Sequence, residues 1–563
     1  MKAVARGVAG GALLISLVTV LSRLFGFGRW AVFSGTVGST AAGSAYTAAN
    51  TLPNVLFEVA VGGALASVVV PLLALPLAER AMGQADQIAS ALVSWVLVVL
   101  VPLGGLLALA AGPLANALIT ADLEAQSSGT RALATVLIRM FALQVPLYGI
   151  GVVAGGVLHA ARRFFWPALA PLLNSLTLIP VYLVFKTVAG GEQGQPGNLS
   201  QGAINLLGWG TTLGVAVLSL PLLVPLWRLG FRLRPQLRFP AGMARQAARL
   251  AMAGVVALLA QQVMVLVVVW LCGNYGTKGT LPVYNYAQAL YLLPFAVLVV
   301  PLVTAFFPHL AGAAARGQLA MLSRGAAAAM RTVLAVAALG AAALLAAAPR
   351  LAAAFEVLDV GRVVGLSDCL SLMAPGLVGF GVMTLGQRLL YAVHQGRLAA
   401  LVSGTAWLVA AAVSLLAVQT GSQQAAQAAD GLATLRGLGL GLQVGMTVGG
   451  LGMVVAVGRV LGSAALRGLG RTAAAALVAG AVGAVLGRGA TDQLPSGGLV
   501  AASLAACVGA VVAAGVVMVG LGMTDRSLPT AMRSWDQPTA DDLALEVSEA
   551  DNDAGHADPL DAG

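Results

Sequence analysis

Apolar runs long enough to cross a bilayer alternate with short polar breaks along most of this chain. A transmembrane helix needs about 20 mainly apolar residues, whereas a barrel strand shows a short alternating pattern. Fourteen runs qualify, at about 8–33, 43–76, 88–113, 133–159, 166–187, 205–227, 248–272, 281–312, 326–348, 370–394, 397–418, 434–458, 470–487 and 497–522. In lipid the backbone must satisfy its own hydrogen bonds, so runs of this kind are helices. The pattern predicts an all-α polytopic membrane protein of about 14 transmembrane helices. The first run follows Lys2 and Arg6 and leads into no cleavage site with a soluble domain behind it, so it reads as the first span. The second and eighth runs are too long for one straight crossing. Pro53 and Pro71 fall in one, and Pro294, Pro301 and Pro308 in the other. Both are expected to bend or break, the second at Pro53.

Composition agrees with this picture. The chain is 59% apolar and 9% charged, against about 25% charged in soluble domains; its mean hydropathy is +0.91. Seventy glycines suit close helix packing in lipid. The basic residues set the orientation. Of 31 Lys and Arg, twenty fall in the alternate loops that include the N-terminus, Arg324 and Arg331 counted among them, seven in the other loops and four within runs. Positive charge stays on the cytoplasmic side, so both termini are expected there.

Two stretches repeat. P-L-Y-G-I-G-V-V (146–153) matches P-G-L-V-G-F-G-V-M (375–383), and A-S-V-V-V-P-L-L-A (66–74) matches V-T-A-F-F-P-H-L-A (303–311), both at an offset of about 230–237 residues. A duplicated unit follows: two pseudo-symmetric six-helix bundles, 1–227 and 250–460, plus two extra helices within 461–523. A substrate site between the halves is the usual consequence of such a repeat. Residues 228–249, rich in arginine around Pro235 and Pro240, read as a basic cytoplasmic linker that can rest on anionic membrane lipids. The linker is short and has little aromatic interleaving, so it does not point to nucleic acid. Residues 524–563 lack an apolar run and hold 10 of the 21 acidic residues, which predicts a disordered acidic cytoplasmic tail. Such a tail offers a surface to protein partners.

Charge within the runs is the chemically informative feature. Arg23, Arg29, Arg139 and Arg388 are the basic residues inside apolar sequence, and Glu58 is the one acid deep within a run. A charge at the bilayer centre costs about 2.5–3.5 kcal/mol on insertion scales, so it faces a partner or a watery cavity. Arg23 and Arg29 are six residues apart, about 9 Å along a helix and roughly 120° apart around it. A bend at Gly26 and Gly28 could turn both toward one cavity. Asn54, Glu58 and Gly62 share a helix face. Two guanidinium groups beside a broken helix suit a phosphate, whose oxygens arginine matches in pairs. Gln261, Gln262, Asn285, Tyr286 and Gln288 are candidates for the opposite wall or for bonds between helices. Cys272, Cys369 and Cys507 show no metal spacing, and no phosphate-binding loop, nucleophile elbow or zinc motif occurs. Neither a cofactor nor a metal is expected, and the chain does not read as an enzyme.

S-R-L-F-G-F-G-R (22–29), A-Y-T-A-A-N-T-L-P-N (45–54), G-G-A-L-A-S-V-V-V-P-L-L (62–73) and R-F-F-W-P-A-L-A-P-L-L-N (163–174) resemble the signature blocks of the MurJ/MviN family of lipid II flippases, within the superfamily of multidrug and oligosaccharide-lipid exporters. The resemblance implies two bundles around a central cationic cavity in the bacterial inner membrane. It also implies a groove for the lipid tail on the last two spans, and export of an undecaprenyl-pyrophosphate-linked precursor by alternating access. It assigns Arg23 and Arg29 to the pyrophosphate, with Asn54 beside them and Glu58 paired with the arginines in the empty site. Other family positions differ: Trp30 and Ser44 stand where acids are usual, Phe57–Glu58 where a basic pair is usual, Gly62–Gly63 where Glu-Gly is usual, and Gln288–Ala289 where Asp-Arg is frequent. Two other readings stay open, an exporter of another lipid-linked sugar or drug and a non-transporting membrane scaffold that recruits cell-wall synthesis or division proteins through its acidic tail.

Overall fold

The computed structural model describes residues 2–59, 66–239, 243–424, 431–495 and 497–525. Gly62, Gly63 and the tail beyond Asp525 lie outside them. The first half contains α1 (Lys2–Ser34), α2 (Ala41–Phe57), α3 (Ala66–Ala78), α4 (Met82–Leu109), α5 (Thr130–Phe141), α6 (Gln144–Ala160), α7 (Phe165–Val188) and α8 (Gln201–Ser219). The second contains α9 (Met243–Asn274), α10 (Thr280–Pro294), α11 (Val300–Ala315), α12 (Leu319–Leu358), α13 (Leu366–Met373), α14 (Gly376–Ala392), α15 (Gly396–Gln424) and α16 (Leu432–Leu461), and α17 (Leu469–Asp492) and α18 (Gly498–Thr524) follow. Among the described residues ten helices are long and apolar enough to cross a membrane, and α13 with α14 makes an eleventh, bent by 44°. α1, the α2–α3 pair and α9 occupy the three remaining expected spans. The protein is a multi-pass helical membrane protein.

The eighth span breaks as its prolines require: α10 ends at Pro294 and a π-helical turn, Phe295–Val299, leads into α11. The second breaks later than expected. α2 runs through Pro53 to Phe57 before its π turn at Glu58, so the interruption falls after Asn54 and not before it. A proline costs one backbone bond, and the surrounding turns hold the helix across that single loss.

Duplication is visible in the turns. The fourth span is interrupted between α5 and α6, just before Pro146, and the tenth between α13 and α14, at Pro375. Both prolines belong to the repeated sequence. Left-handed residues recur in register: Gly129 and Gly365 before α5 and α13, Arg162 and His394 after α6 and α14, Arg80 and Gly317 after α3 and α11. Close packing relies on small residues. A Cβ on Gly441 or Gly445 of α16 would stand 2.7 Å from the Ala410 carbonyl and 2.6 Å from that of Ala406 on α15.

The linker is strapped down rather than resting on lipid alone. The backbone N–H groups of Arg232, Arg234 and Gln236 bond Asp86 (3.3 Å), Ser90 (3.0 Å) and Ser94 (2.9 Å) on α4. Alternate residues of an extended chain advance about 6.6 Å and four helical residues 6.0 Å, so the two repeats match.

The tail begins later than expected, because Asp525 is buried. Its Oδ1 lies 2.5 Å from Arg331 Nη2, and Thr472 donates to its Oδ2 at 2.6 Å. Arg331 is therefore no loop charge either. It sits inside α12 and ties α17 and the end of α18 to the second half. Buried charges persist when paired and hydrogen-bonded in this way.

Candidate functional site: a polar pocket on the first helix

α1 packs against α7 in its own half and α10 and α12 in the other. It stays helical through Gly26 and Gly28, around which there is open space. Its two arginines do not converge. Arg23 is exposed. Arg29, half-buried, points into a small cavity of about 50 Å³ within the first half, lined by Tyr46 and Asn50 of α2, Tyr148 of α6, Asn174 and Tyr182 of α7 and Thr211 of α8.

Hydroxyls organise this pocket. The Tyr46 and Tyr182 hydroxyls are 2.8 Å apart, Tyr46 and Thr211 3.2 Å, and Thr211 donates onward to the Leu207 carbonyl at 2.6 Å. The side-chain oxygens of Asn50 and Asn174 are buried without a partner. No carboxylate lies within ion-pairing distance of Arg29 among the described residues. Instead its guanidinium stands 5.8 Å from the ring of Trp30, which packs edge-on against Tyr286 of the second half at 6.0 Å. An aromatic face attracts a cation without neutralising it. The space admits a few waters at most.

Asn54 and Glu58 lie at the end of α2, on one face as their spacing requires. Both are half-buried. The expected Glu58–arginine pair is not formed: neither Arg23 nor Arg29 is within ion-pairing distance of Glu58. The physical reason is the continuity of α1, which leaves Arg23 exposed and turns Arg29 into the pocket. Contact between this helix end and the pocket is aromatic, with Phe57 4.6 Å from Tyr148.

A second polar cluster, which the sequence does not reveal, stands at the far end of α1. Asp359, just past α12, accepts from Ser34 Oγ (2.8 Å), Ser39 N (2.8 Å), Ser39 Oγ (2.8 Å), Tyr286 OH (2.9 Å) and Gly361 N (2.7 Å). Tyr286 is thus a buried donor in this cluster and not an open cavity wall. Beyond it lies a cavity of about 630 Å³ lined by Gln126, Gln193, Lys278 and Arg362, among others. On the membrane side, α17 and α18 enclose a groove of about 940 Å³, apolar along Val478, Val482, Val512 and Val519 and ending at Arg471 and Thr524.

The family model described as "Lipid II flippase MurJ" matches residues 33–444. A probable lipid II flippase MurJ of Rhizobium meliloti is 26% identical over 312 residues, 54% of each chain. One from Synechocystis is 28% identical over 241 residues, 42% of this chain and 43% of its own. The chain thus spans about half the length of the curated relatives it matches. Among solved structures, a lipid II flippase MurJ in an inward closed conformation has a TM-score of 0.69 at 17% identity, covering 92% of this chain and 99% of that one. An inward-facing multidrug transporter of the MATE family has a TM-score of 0.61 at 16% identity, covering 80% and 98%. These two likenesses establish the fold.

Proposed function

The chain belongs to the lipid II flippase MurJ family, and from that premise we propose that it carries lipid II, the undecaprenyl-pyrophosphate-linked precursor of peptidoglycan, from the inner to the outer leaflet of the bacterial cytoplasmic membrane by alternating access. The observation that carries this reading is the family match across residues 33–444, which takes in both halves. The family is one of transporters, not of catalysts. The excess of arginine in alternate loops supports a cytoplasmic location for both termini. The two halves, 1–227 and 250–460, would rock about their seam, with 228–249 as the connection between them.

Arg29 is the centre of the site in this proposal. A half-buried cation in a membrane helix without a counter-charge attracts an anion, and a pyrophosphate presents oxygens that a guanidinium can bind in pairs. A cavity of about 50 Å³ cannot enclose such a headgroup, so Arg29 would meet it by swinging toward the seam. Arg23 would extend the basic track nearer the cytoplasm, with Asn54 and Glu58 at the break in the second span. The apolar groove on α17 and α18 fits a polyprenyl tail. A membrane potential could drive the step, since moving a charge through the field is worth about 2.3 kcal/mol per 100 mV.

Arg29→Ala is expected to abolish rescue of cells depleted of their own flippase while the protein remains in the membrane. Full rescue by the double variant Arg23→Ala/Arg29→Ala would overturn the site. One observation favours a second cargo. Trp30 and Phe57 stand where the family usually places charges, which suits a related exporter of another lipid-linked sugar. Labelling of lipid II in the outer leaflet separates the two, since only the first reading predicts that exposure follows the protein.

A further inference from the structure

We propose that Asp359 is the latch of the outer gate, a positioning residue for transport whose carboxylate holds the two halves together at the extracytoplasmic face. The proposal rests on the alternating-access reading above and adds the residue that keeps one gate shut.

The geometry divides the five hydrogen bonds of Asp359 into two kinds. Tyr286 and Gly361 belong to the same half as Asp359 and orient the carboxylate. Ser34 and Ser39 belong to the end of α1 and the turn after it, in the other half, and supply three bonds across the seam. A fourth bond crosses beside them, from the Val360 N–H to the Ser34 carbonyl at 3.1 Å. Between charged groups and good donors such bonds are stronger than neutral ones, and with five donors a carboxylate has no free lone pair.

Backbone fit points the same way. Gly38 adopts φ +71°, and a Cβ there would stand 2.5 Å from Val360 Cγ2 and 2.9 Å from Asp359 Oδ1. A Cβ on Gly361 would collide with the Ser39 carbonyl. Two glycines, one from each half, thus let the two turns close on each other around one carboxylate. Nearby, Gly279 of the second half donates its N–H to Ser44 Oγ of the first at 2.8 Å. The contact is polar, local and open to the 630 Å³ cavity outside it, so water can replace its bonds when the halves part. A seam of interlocked apolar side chains would lack that exchange. Opening the outer face requires the Ser34 and Ser39 bonds to break; the Tyr286 and Gly361 bonds can persist in both states.

The test measures the outer gate directly. Spin labels on cysteines introduced at Glu192 and Arg362, on either side of the outer cavity, report its width in protein held in lipid nanodiscs, with the exposed Cys507 replaced by serine. Ser34→Ala/Ser39→Ala removes two cross-seam bonds and is expected to raise the ratio of wide to narrow distances about tenfold. Asp359→Asn should widen the gate in the same direction. Tyr286→Phe removes a bond within one half and should leave the distribution near the parent's. The proposal is overturned if the serine variant superimposes on the parent, or if Tyr286→Phe widens the gate as much. The latter result would make the cluster a structural support only. The readout needs no lipid II. A gate that widens in a protein that moves no lipid II would refute the cargo and leave the latch standing. Lipid II export with an unmoved gate would refute the latch alone.

Discussion

Arg29 shares its pocket with hydroxyls and amides, and the hydroxyls give that pocket its shape. Tyr46 is the hub, with Tyr182 and Thr211 both on its oxygen. Tyr46→Phe would strand the buried Tyr182 hydroxyl, and an unmade buried hydrogen bond costs about 1–3 kcal/mol. Thr211 would keep its bond to the Leu207 carbonyl. Tyr46→Phe/Tyr182→Phe removes both ends of the lost bond, so it should be no less stable than Tyr46→Phe alone. Thermal unfolding of the parent, the two single variants and the double in nanodiscs decides it, and simple addition of two separate losses would show that the hydroxyls are not coupled. Sequence reasoning could see that Arg23 and Arg29 need a cause. It could not see their directions, because these depend on whether α1 bends at Gly26 and Gly28. Asp359 was harder still. It looks like any acid at a helix end, and its cross-seam donors are more than 300 residues away in sequence.

At the scale of elements, prolines and length were enough to place the break in the eighth span, whereas α2 runs through Pro53 and turns π-helical only at Glu58. The breaks in the fourth and tenth were written in the repeat itself, at Pro146 and Pro375, yet each run is short enough to pass as one helix. The strap along α4 was hidden for a different reason. Asp86, Ser90 and Ser94 look like an ordinary polar stripe, and only the arrival of the linker's alternate N–H groups gives them a role. Ser90→Ala/Ser94→Ala should release Arg234 and Gln236 from α4 while leaving the spans intact. In vesicles that expose the cytoplasmic face, trypsin should then cut after Arg238 about tenfold faster, two lost hydrogen bonds being worth that much. Unchanged cleavage would mean that the Trp95–Leu237 bond and the remaining contacts suffice.

For the molecule as a whole, the question is how far the tail matters to the transporter it follows. Composition assigned everything from residue 524 onward to one acidic segment, and that boundary hides a structural residue. Asp525 closes a buried triad with Arg331 and Thr472 that fastens the last two helices, and the groove between them, to α12. Removing one partner of a buried ion pair costs about 3–5 kcal/mol, since the other charge stays behind in a dry site. Two truncations that differ by two residues should therefore behave differently. Deleting 526–563 keeps the triad and is expected to leave the proposed lipid II export and the thermal stability near those of the undeleted protein. Deleting 524–563 takes the Asp525 carboxylate away from Arg331 and should lower the unfolding temperature, with Arg331→Met restoring part of the loss by removing the buried charge. A scaffold that worked by recruiting cell-wall proteins through its acidic tail would fail equally in both truncations, and Arg331→Met would rescue neither. Complementation and unfolding measured side by side on the three proteins thus separate a transporter with a buried anchor from a scaffold with a working tail.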